Sequence, residues 1–239
     1  MMNKKKDITD HITEKRQRQA RFLYLTLGGI FIALLVTCNL IFLKFIHLEP
    51  FGSFSIIISV GLIPYPLTFL VTDIISEIFG EKRANDVVKA GLICALLVIG
   101  LTYIADIVPA YVDSPVTDEE FHHVFGLAGV AVTASMLAYL LAQFIDIKIY
   151  HFWKRKTKGK HLWLRNNFST FTSQIVDSLV VLLLLCSFDA LAWSNFLLIF
   201  SGMIFYKILV AILDTPLLYL SVYLIKRHFG LKENEEIQG

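Results

Sequence analysis

Apolar residues in this chain fall in long blocks rather than in the alternating or one-face patterns of a soluble domain. Beyond a polar segment, Met1–Arg21, the blocks run from Phe22 to Ile46, Phe54 to Phe79, Val87 to Val108, Phe125 to Ile149, Phe168 to Phe188 and Asn195 to Ile225. A helix needs about 20 apolar residues to cross a hydrocarbon core of roughly 30 Å. The pattern therefore predicts an all-α fold, a six-transmembrane-helix bundle over residues 22–225, with tails at 1–21 and 226–239. The first block is far longer than the roughly 7–15 apolar residues of a signal peptide and lacks a small-residue cleavage site, so it is read as a retained helix. The first tail is expected to be mobile, and the turn HLEPFGS to link the first two spans. Pro64 and Pro66 cannot both sit inside an unbroken helix, so the second helix is expected to be proline-broken. The sixth block would be about 46 Å long as a straight helix, and Pro216 is the natural place for it to bend.

Composition agrees with this pattern. Of 239 residues, 56% are hydrophobic and only 18% charged, with a mean hydropathy of +0.64. A soluble domain of this size needs more polar surface than that. The basic residues then orient the bundle. Seven precede the first block, Lys82, Arg83 and Lys89 follow the second, seven lie between Lys148 and Arg165, and Lys226, Arg227 and Lys232 follow the sixth. The alternate loops have none, and one of them, PAYVDSPVTDEEFHH, is acidic. This alternation predicts that both termini are cytoplasmic in a multi-pass protein of the bacterial inner membrane. The net charge of +2 carries no sign of a nucleic-acid partner; the expected partner is the lipid bilayer. Cys38, Cys94 and Cys186 lie in apolar blocks without metal-ligand spacing and read as packing residues. No metal site is expected.

Polar side chains at membrane depth are costly, so each needs a partner or a wet cavity. Asn39, Lys44, Asp73, Glu77, Asp106, Gln143, Asp146, Gln174, Asp177, Lys207 and Asp214 form this set. Lys44 and Asp106 read as interfacial anchors, and Asp146 as solvated near the inner end of its span. Asp73 and Glu77, four apart in TDIISEIFG, share a helix face beside the proline-rich GLIPYPLTF, a setting suited to a substrate site at membrane depth. The alternative is an acidic helix end pairing with Lys82 and Arg83. Residues 165–178, RNNFSTFTSQIVDS, are rich in hydroxyls and amides that can bridge helices. Lys207 and Asp214 fall on one face of the last span. Counting about 1.5 Å per residue, Lys207 and Asp177 reach nearly the same depth, and they are predicted to pair directly or through substrate. A Gln-x-x-Asp echo, Gln143/Asp146 against Gln174/Asp177, reads as coincidence. The chain contains no GxxxxGK[ST], HExxH, GxSxG or CxxC motif, so neither ATP hydrolysis by a phosphate loop nor the corresponding enzyme chemistries are indicated, and no cofactor is expected.

The strings IPYPLTFLVTDIISEIFGEKRA, RNNFSTFTSQIVDS, KILVAILDTP and NLIFLK resemble the queuosine precursor transporter family, also called the vitamin uptake transporter family. The resemblance covers nearly the whole chain beyond residue 22. It implies six helices and import of 7-deazaguanine bases, precursors of a modified tRNA base, with no enzymatic activity. A guanine-like edge presents adjacent N–H donors that one carboxylate accepts as a pair. Asp73 or Glu77 would supply it, with Gln174 or Asn39 answering the ring carbonyl. Asp177, Lys207 and Asp214 complete the expected substrate-binding set, and Tyr65, Phe69 and Phe205 are available to stack on the heterocycle. Homo-oligomerisation is left open. Competing readings are a carrier of another small metabolite, a substrate-binding subunit that borrows an ATPase, and an intramembrane enzyme using Asp73 and Glu77. In a purely structural reading, the polar residues serve as helix glue.

Overall fold

In the computed structural model of the chain, residues 2–41, 44–48, 56–126, 129–158, 160–187, 192–232 and 235–237 are described. Most of the expected HLEPFGS turn, the start of the second block and Phe188 at the end of the fifth lie outside them. The described residues form helices α1 (Met2–Leu40), α2 (Tyr65–Phe79), α3 (Glu81–Ile107), α4 (Asp118–Phe121), α5 (Gly129–Lys156), α6 (Leu162–Ser187) and α7 (Phe196–Phe229). Five segments among the described residues are long and apolar enough to cross a membrane: Glu14–Leu40, Val60–Phe79, Glu81–Ile107, Leu162–Ser187 and Ile199–Phe229. The polar segment expected to be a tail is helical from Met2 onward, continuous with the first span.

Two features depart from the expected helix pattern. Between α1 and α2 the chain forms a short antiparallel pair, β1 (Phe45–Leu48) with β2 (Ile56–Ser59), in which Phe45 faces Ser59 and Leu48 faces Ile56. The β-branched run Ile56–Ile58 favours extended backbone. Lys44, expected as an anchor at a helix end, adjoins this hairpin, and its carbonyl accepts from the Val60 amide at 2.7 Å. The second departure corrects the expectation of a proline-broken helix. A 3₁₀ turn, Val60–Leu62, precedes α2, Pro64 is the α2 N-cap, and Pro66 lies in its first turn. Amides of a first helical turn have no intrahelical acceptor, so proline there removes no hydrogen bond. The prolines start the helix. Pro216 does sit inside α7.

At 15 residues, α2 is the shortest of the long helices, and every residue from Val71 to Gly80 is buried. It packs against α1, α3, α5 and α7, while α5 and α6 form the most extensive helix pair. Phe31, Leu35, Phe69, Ile75, Ile78 and Val88 are central to the core. Helix α1 approaches α3 closely at Gly91, where a Cβ would come within 2.7 Å of the Phe31 ring. The outer faces are the apolar ones: Ile93, Leu97 and Leu101 on α3, and Leu209, Leu213 and Leu220 on α7, are exposed. Polar side chains point inward instead, among them Asp73, Glu77, Asp146, Arg165 and Asp177. A protein apolar outside and polar inside is built for lipid rather than water. The chain is a multi-pass membrane protein.

Candidate functional site

The inward-facing polar groups form three layers along the bundle. The first gathers at the ends of α2, α5 and α7 and the start of α6, around Glu77. Its Oε2 lies 2.6 Å from Arg165 and 3.4 Å from the Lys154 ammonium, and its Oε1 lies 2.5 Å from Lys226. The Tyr150 hydroxyl donates to Oε2 at 3.0 Å, and the Arg165 guanidinium lies over the Tyr150 ring. Lys154 also binds Glu236 at 2.7 Å, and the Ile237 amide donates to the Ile78 carbonyl at 2.8 Å, which pins residues 235–237 across this end. Glu77 is 1% exposed and Arg165 2%. A buried carboxylate with this many donors is fully engaged. In place of the expected pairing with Lys82 and Arg83, Glu77 is held by Arg165, Lys154 and Lys226; Arg83 lies over the Tyr24 and Phe79 rings, and Lys82 is exposed. Arg83 and Lys82 lie past the turn at Gly80 (φ +86°), on another helix.

One turn back on α2, Asp73 neighbours Asp146 of α5, the two acids lying between the Thr72–Gln143 and Tyr150–Glu77 contacts of the same helix pair. The Ser173 hydroxyl of α6 donates to Asp146 Oδ1 at 3.0 Å. Oδ1 of Asp73 and Oδ2 of Asp146 have no hydrogen-bond partner. Asp146, expected to be solvated, is fully buried, because the extensive contact of α5 with α6 covers it. Beside this layer Thr72 donates to Gln143 Oε1 at 3.2 Å, and Gln143 Nε2 donates to the Tyr139 hydroxyl at 2.7 Å.

The third layer is a narrow cleft between the start of α2, α6 and α7, with a cavity volume of about 20 Å³. Tyr65 and Phe69 form one wall, Thr170 and Gln174 another, and Tyr206, Lys207 and Asp214 a third. Lys207 and Asp177 pair as their matched depths predicted. The Lys207 ammonium donates to the Asp177 carboxylate, with which it forms an ion pair, and to the Ser178 hydroxyl at 2.9 Å. It also lies 5.2 Å from the centre of the Tyr65 ring, within cation–π range. Tyr65, Phe69 and Tyr139 pack edge to face. Three groups in the cleft are uncommitted. Gln174 Oε1 and Thr170 Oγ1 are buried without a hydrogen-bond partner, and no cation pairs with Asp214 among the described residues.

Of the sequence-derived set, Tyr65, Phe69, Gln174, Lys207 and Asp214 line this cleft, and Asp177 joins it through Lys207. Asp73 and Glu77 lie in the other two layers. Asn39 spends its amide on the Leu35 carbonyl of its own helix at 2.8 Å. Phe205 is 57% exposed on the outer face of α7, while its neighbour Tyr206 lines the cleft. One residue along a helix turns the side chain by about 100°, which separates these two. Sequence reasoning missed Thr170, Tyr206 and Arg165 as site-forming residues. Arg165 was counted with the basic loop, although it opens the hydroxyl-rich RNNF segment that marks an inward face. Asp106, read as an anchor, contacts His122 Nδ1 at 2.8 Å.

Comparison with known proteins supplies what geometry alone does not. A family model described as "Putative vitamin uptake transporter" matches residues 59–221. A Bacillus subtilis (strain 168) protein named "Probable queuosine precursor transporter" is 26% identical over 171 residues, 70% of this chain and 72% of the relative. An Escherichia coli (strain K12) protein named "Queuosine precursor transporter" is 29% identical over 119 residues, 50% of this chain and 51% of that relative. No solved structure matches. The matched region contains all three polar layers except Lys226 and the terminal segment, and its relatives are named as carriers of a small molecule. The chain belongs to the vitamin uptake transporter family and is a membrane transporter.

Proposed function

We propose that this chain imports queuosine precursors, 7-deazaguanine bases, into a bacterial cell for tRNA modification. The observation that carries this reading is the cleft. It brings a carboxylate without a cation, Asp214, an unpartnered amide carbonyl, Gln174, and two aromatic rings, Tyr65 and Phe69, onto one small space. That set is complementary to a flat heterocycle with paired N–H donors on one edge. Asp214 accepts the paired donors and Gln174 takes a further polar position of the ring. Tyr65 or Phe69 stacks on the heterocycle, and the Lys207–Asp177 pair fixes the facing walls. Asp73, Glu77, Asn39 and Phe205 make no direct contact with the base. The names of the two relatives support the same substrate class.

The cleft's cavity volume of about 20 Å³ is far below the roughly 300–1,000 Å³ usual for small-molecule pockets, so α7 or the start of α2 must move outward to admit a bicyclic base. The Glu77 layer closes the opposite end of α2, as one gate of an alternating-access carrier. In this reading α1, Val60–Phe79, α3, α5, α6 and α7 are six spans of the inner membrane, with both termini cytoplasmic. The meeting of the basic ends of α5, α6 and α7 at Glu77 supports one basic side. A cysteine at Ser114 is expected to react with an impermeant thiol reagent on intact cells, and one at Thr157 is not; the reverse pattern would invert the orientation.

The direct test is rescue of queuosine formation in a strain unable to make the base, supplied with 7-cyano- or 7-aminomethyl-7-deazaguanine or the free modified base. Wild-type protein is expected to rescue and Asp214→Asn to fail at low precursor concentration, at equal membrane abundance. No rescue by wild type with any of these compounds would sink the substrate assignment while leaving a transporter of another cargo.

A further inference from the structure

Five carboxylates face the interior of the bundle near one another: Asp73, Glu77, Asp146, Asp177 and Asp214. Among the described residues the cations that meet them are already committed. Arg165, Lys154 and Lys226 hold Glu77, and Lys207 holds Asp177. Arg165, which is engaged by Glu77, also attracts Asp73, so the acid pair shares that cation rather than holding one of its own; the two acids are 3% and 0% exposed and lie side by side, between the Thr72–Gln143 and Tyr150–Glu77 contacts of α2 with α5. Two ionised carboxylates in contact inside a low-dielectric bundle repel strongly, which is why touching acid pairs hold a proton between them.

We propose that Asp73 and Asp146 form the coupling-cation site of this transporter, and that the cation is a proton. The coupling role rests on the transport function proposed above; the presence of the proton does not. The groups facing the pair come from three helices: Tyr150 on α5, Arg165 and the Ser173 hydroxyl on α6, and Asp214 on α7. Arg165, Lys154 and Lys226 set against Glu77 and Glu236 leave one positive charge, enough to offset one of the two acids but not both, and Tyr150 donates to Glu77. Oδ1 of Asp73 and Oδ2 of Asp146 are open to a proton arriving or leaving. The transfer makes and breaks only a carboxyl O–H bond.

The pair is placed to sense both cleft and gate. Thr170 neighbours Asp146 and also lines the cleft, with its own hydroxyl unpartnered. Asp73 lies one helical turn from Glu77, so any shift of α2 that separates the acids also pulls on the Glu77 layer. Loss of the proton sets two like charges against each other across the α2–α5 contact and favours that shift; binding a proton reverses it. A cation site that biases one helix between two positions is the minimum that coupled transport needs.

The experiment uses the full-length protein reconstituted in lipid vesicles, with labelled 7-deazaguanine base as cargo. Wild type is expected to accumulate cargo under an inward pH gradient, and to lose that accumulation with a protonophore. Asp146→Asn, which keeps shape and hydrogen bonding without a titratable group, is expected to lose the response to the gradient. Accumulation driven by a sodium gradient instead, or an unchanged pH response in Asp146→Asn, would overturn the proposal. A second measurement needs no cargo, so it still decides the matter if wild type moves none of these bases. Infrared spectra across pH report the C=O stretch of protonated carboxyl groups. The double variant Asp73→Asn, Asp146→Asn is expected to lose part of the pH-dependent signal of the wild type; an undiminished signal removes the proton from this pair.

Discussion

Asp73 and Glu77 are separated by one helical turn on the same helix, and the bundle treats them in opposite ways. Glu77 is surrounded by three cations and a tyrosine hydroxyl. Asp73 faces another acid and has an oxygen with no partner. Identical chemistry at i and i+4 therefore yields a lock in one case and an unsettled contact in the other. The difference comes from what α5, α6 and α7 bring to each level. Three basic side chains reach Glu77, whereas Asp73 meets the α5 carboxylate of Asp146 and shares with Glu77 the single cation Arg165. A charge held by well-placed partners contributes to a fixed structure, and removing it strands the partners. An acid pair with only a shared cation costs stability as it stands, and such a site persists where function needs it.

The sharpest way to break this comparison is to neutralise each acid in turn. Glu77→Gln leaves Arg165, Lys154 and Lys226 without their anion, and should destabilise the detergent-solubilised protein by about 3–5 kcal/mol, read as a large fall in Tm. Asp73→Asn should leave Tm near that of wild type. Equal losses would mean that the two acids do the same structural work.

Next in size is the Lys207–Asp177 pair. Lys207→Met strands a buried carboxylate and is expected to cost about 3 kcal/mol. Adding Asp177→Leu should restore at least half of that, because the cycle removes the stranded charge. No recovery in the double variant would show that Lys207 acts mainly through the Tyr65 ring or Ser178. Asp214→Asn comes third, with a loss of about 1.5–3 kcal/mol in substrate affinity, roughly 10- to 150-fold, from one charged hydrogen-bond acceptor. Tm should barely change, since Asp214 lies only partly buried and holds no ion partner. The smallest effect is expected from Phe205→Leu, a lipid-facing exchange that should alter uptake and Tm by no more than about 0.5 kcal/mol. A large uptake defect there would move the stacking position from the cleft to the outer face of α7.

Much of the architecture was legible because lipid imposes a simple length rule. The apolar blocks marked the long helices, and Lys207 and Asp177 were matched by counting rise per residue from opposite ends. Pro64 and Pro66 misled because a proline pair says where a helix cannot continue, not whether it ends or begins there. The hairpin at Phe45–Leu48 and Ile56–Ser59 was hidden for a related reason: an apolar run of strand length looks the same as the edge of a membrane span. Phe205 was singled out in place of Tyr206 because a single sequence does not show the rotation of a mostly apolar helix about its axis.

The sequence by itself determined that this is a membrane-spanning bundle with polar groups at depth, since a stretch of about 20 apolar residues has few other uses and a buried charge needs a reason. It also singled out Tyr65, Phe69, Gln174, Lys207 and Asp214, half of the residues that line the cleft. Only the tertiary structure decided how those groups are shared out. Which of two acids one turn apart is locked, that Asp146 is buried against Asp73 rather than solvated, and that Arg165 leaves the basic loop for the core all depend on which helix faces which, and at what height. Those partners are 70 to 150 residues apart in the chain, as with Glu77 and Lys226, and local residue patterns carry no information about contacts at that separation.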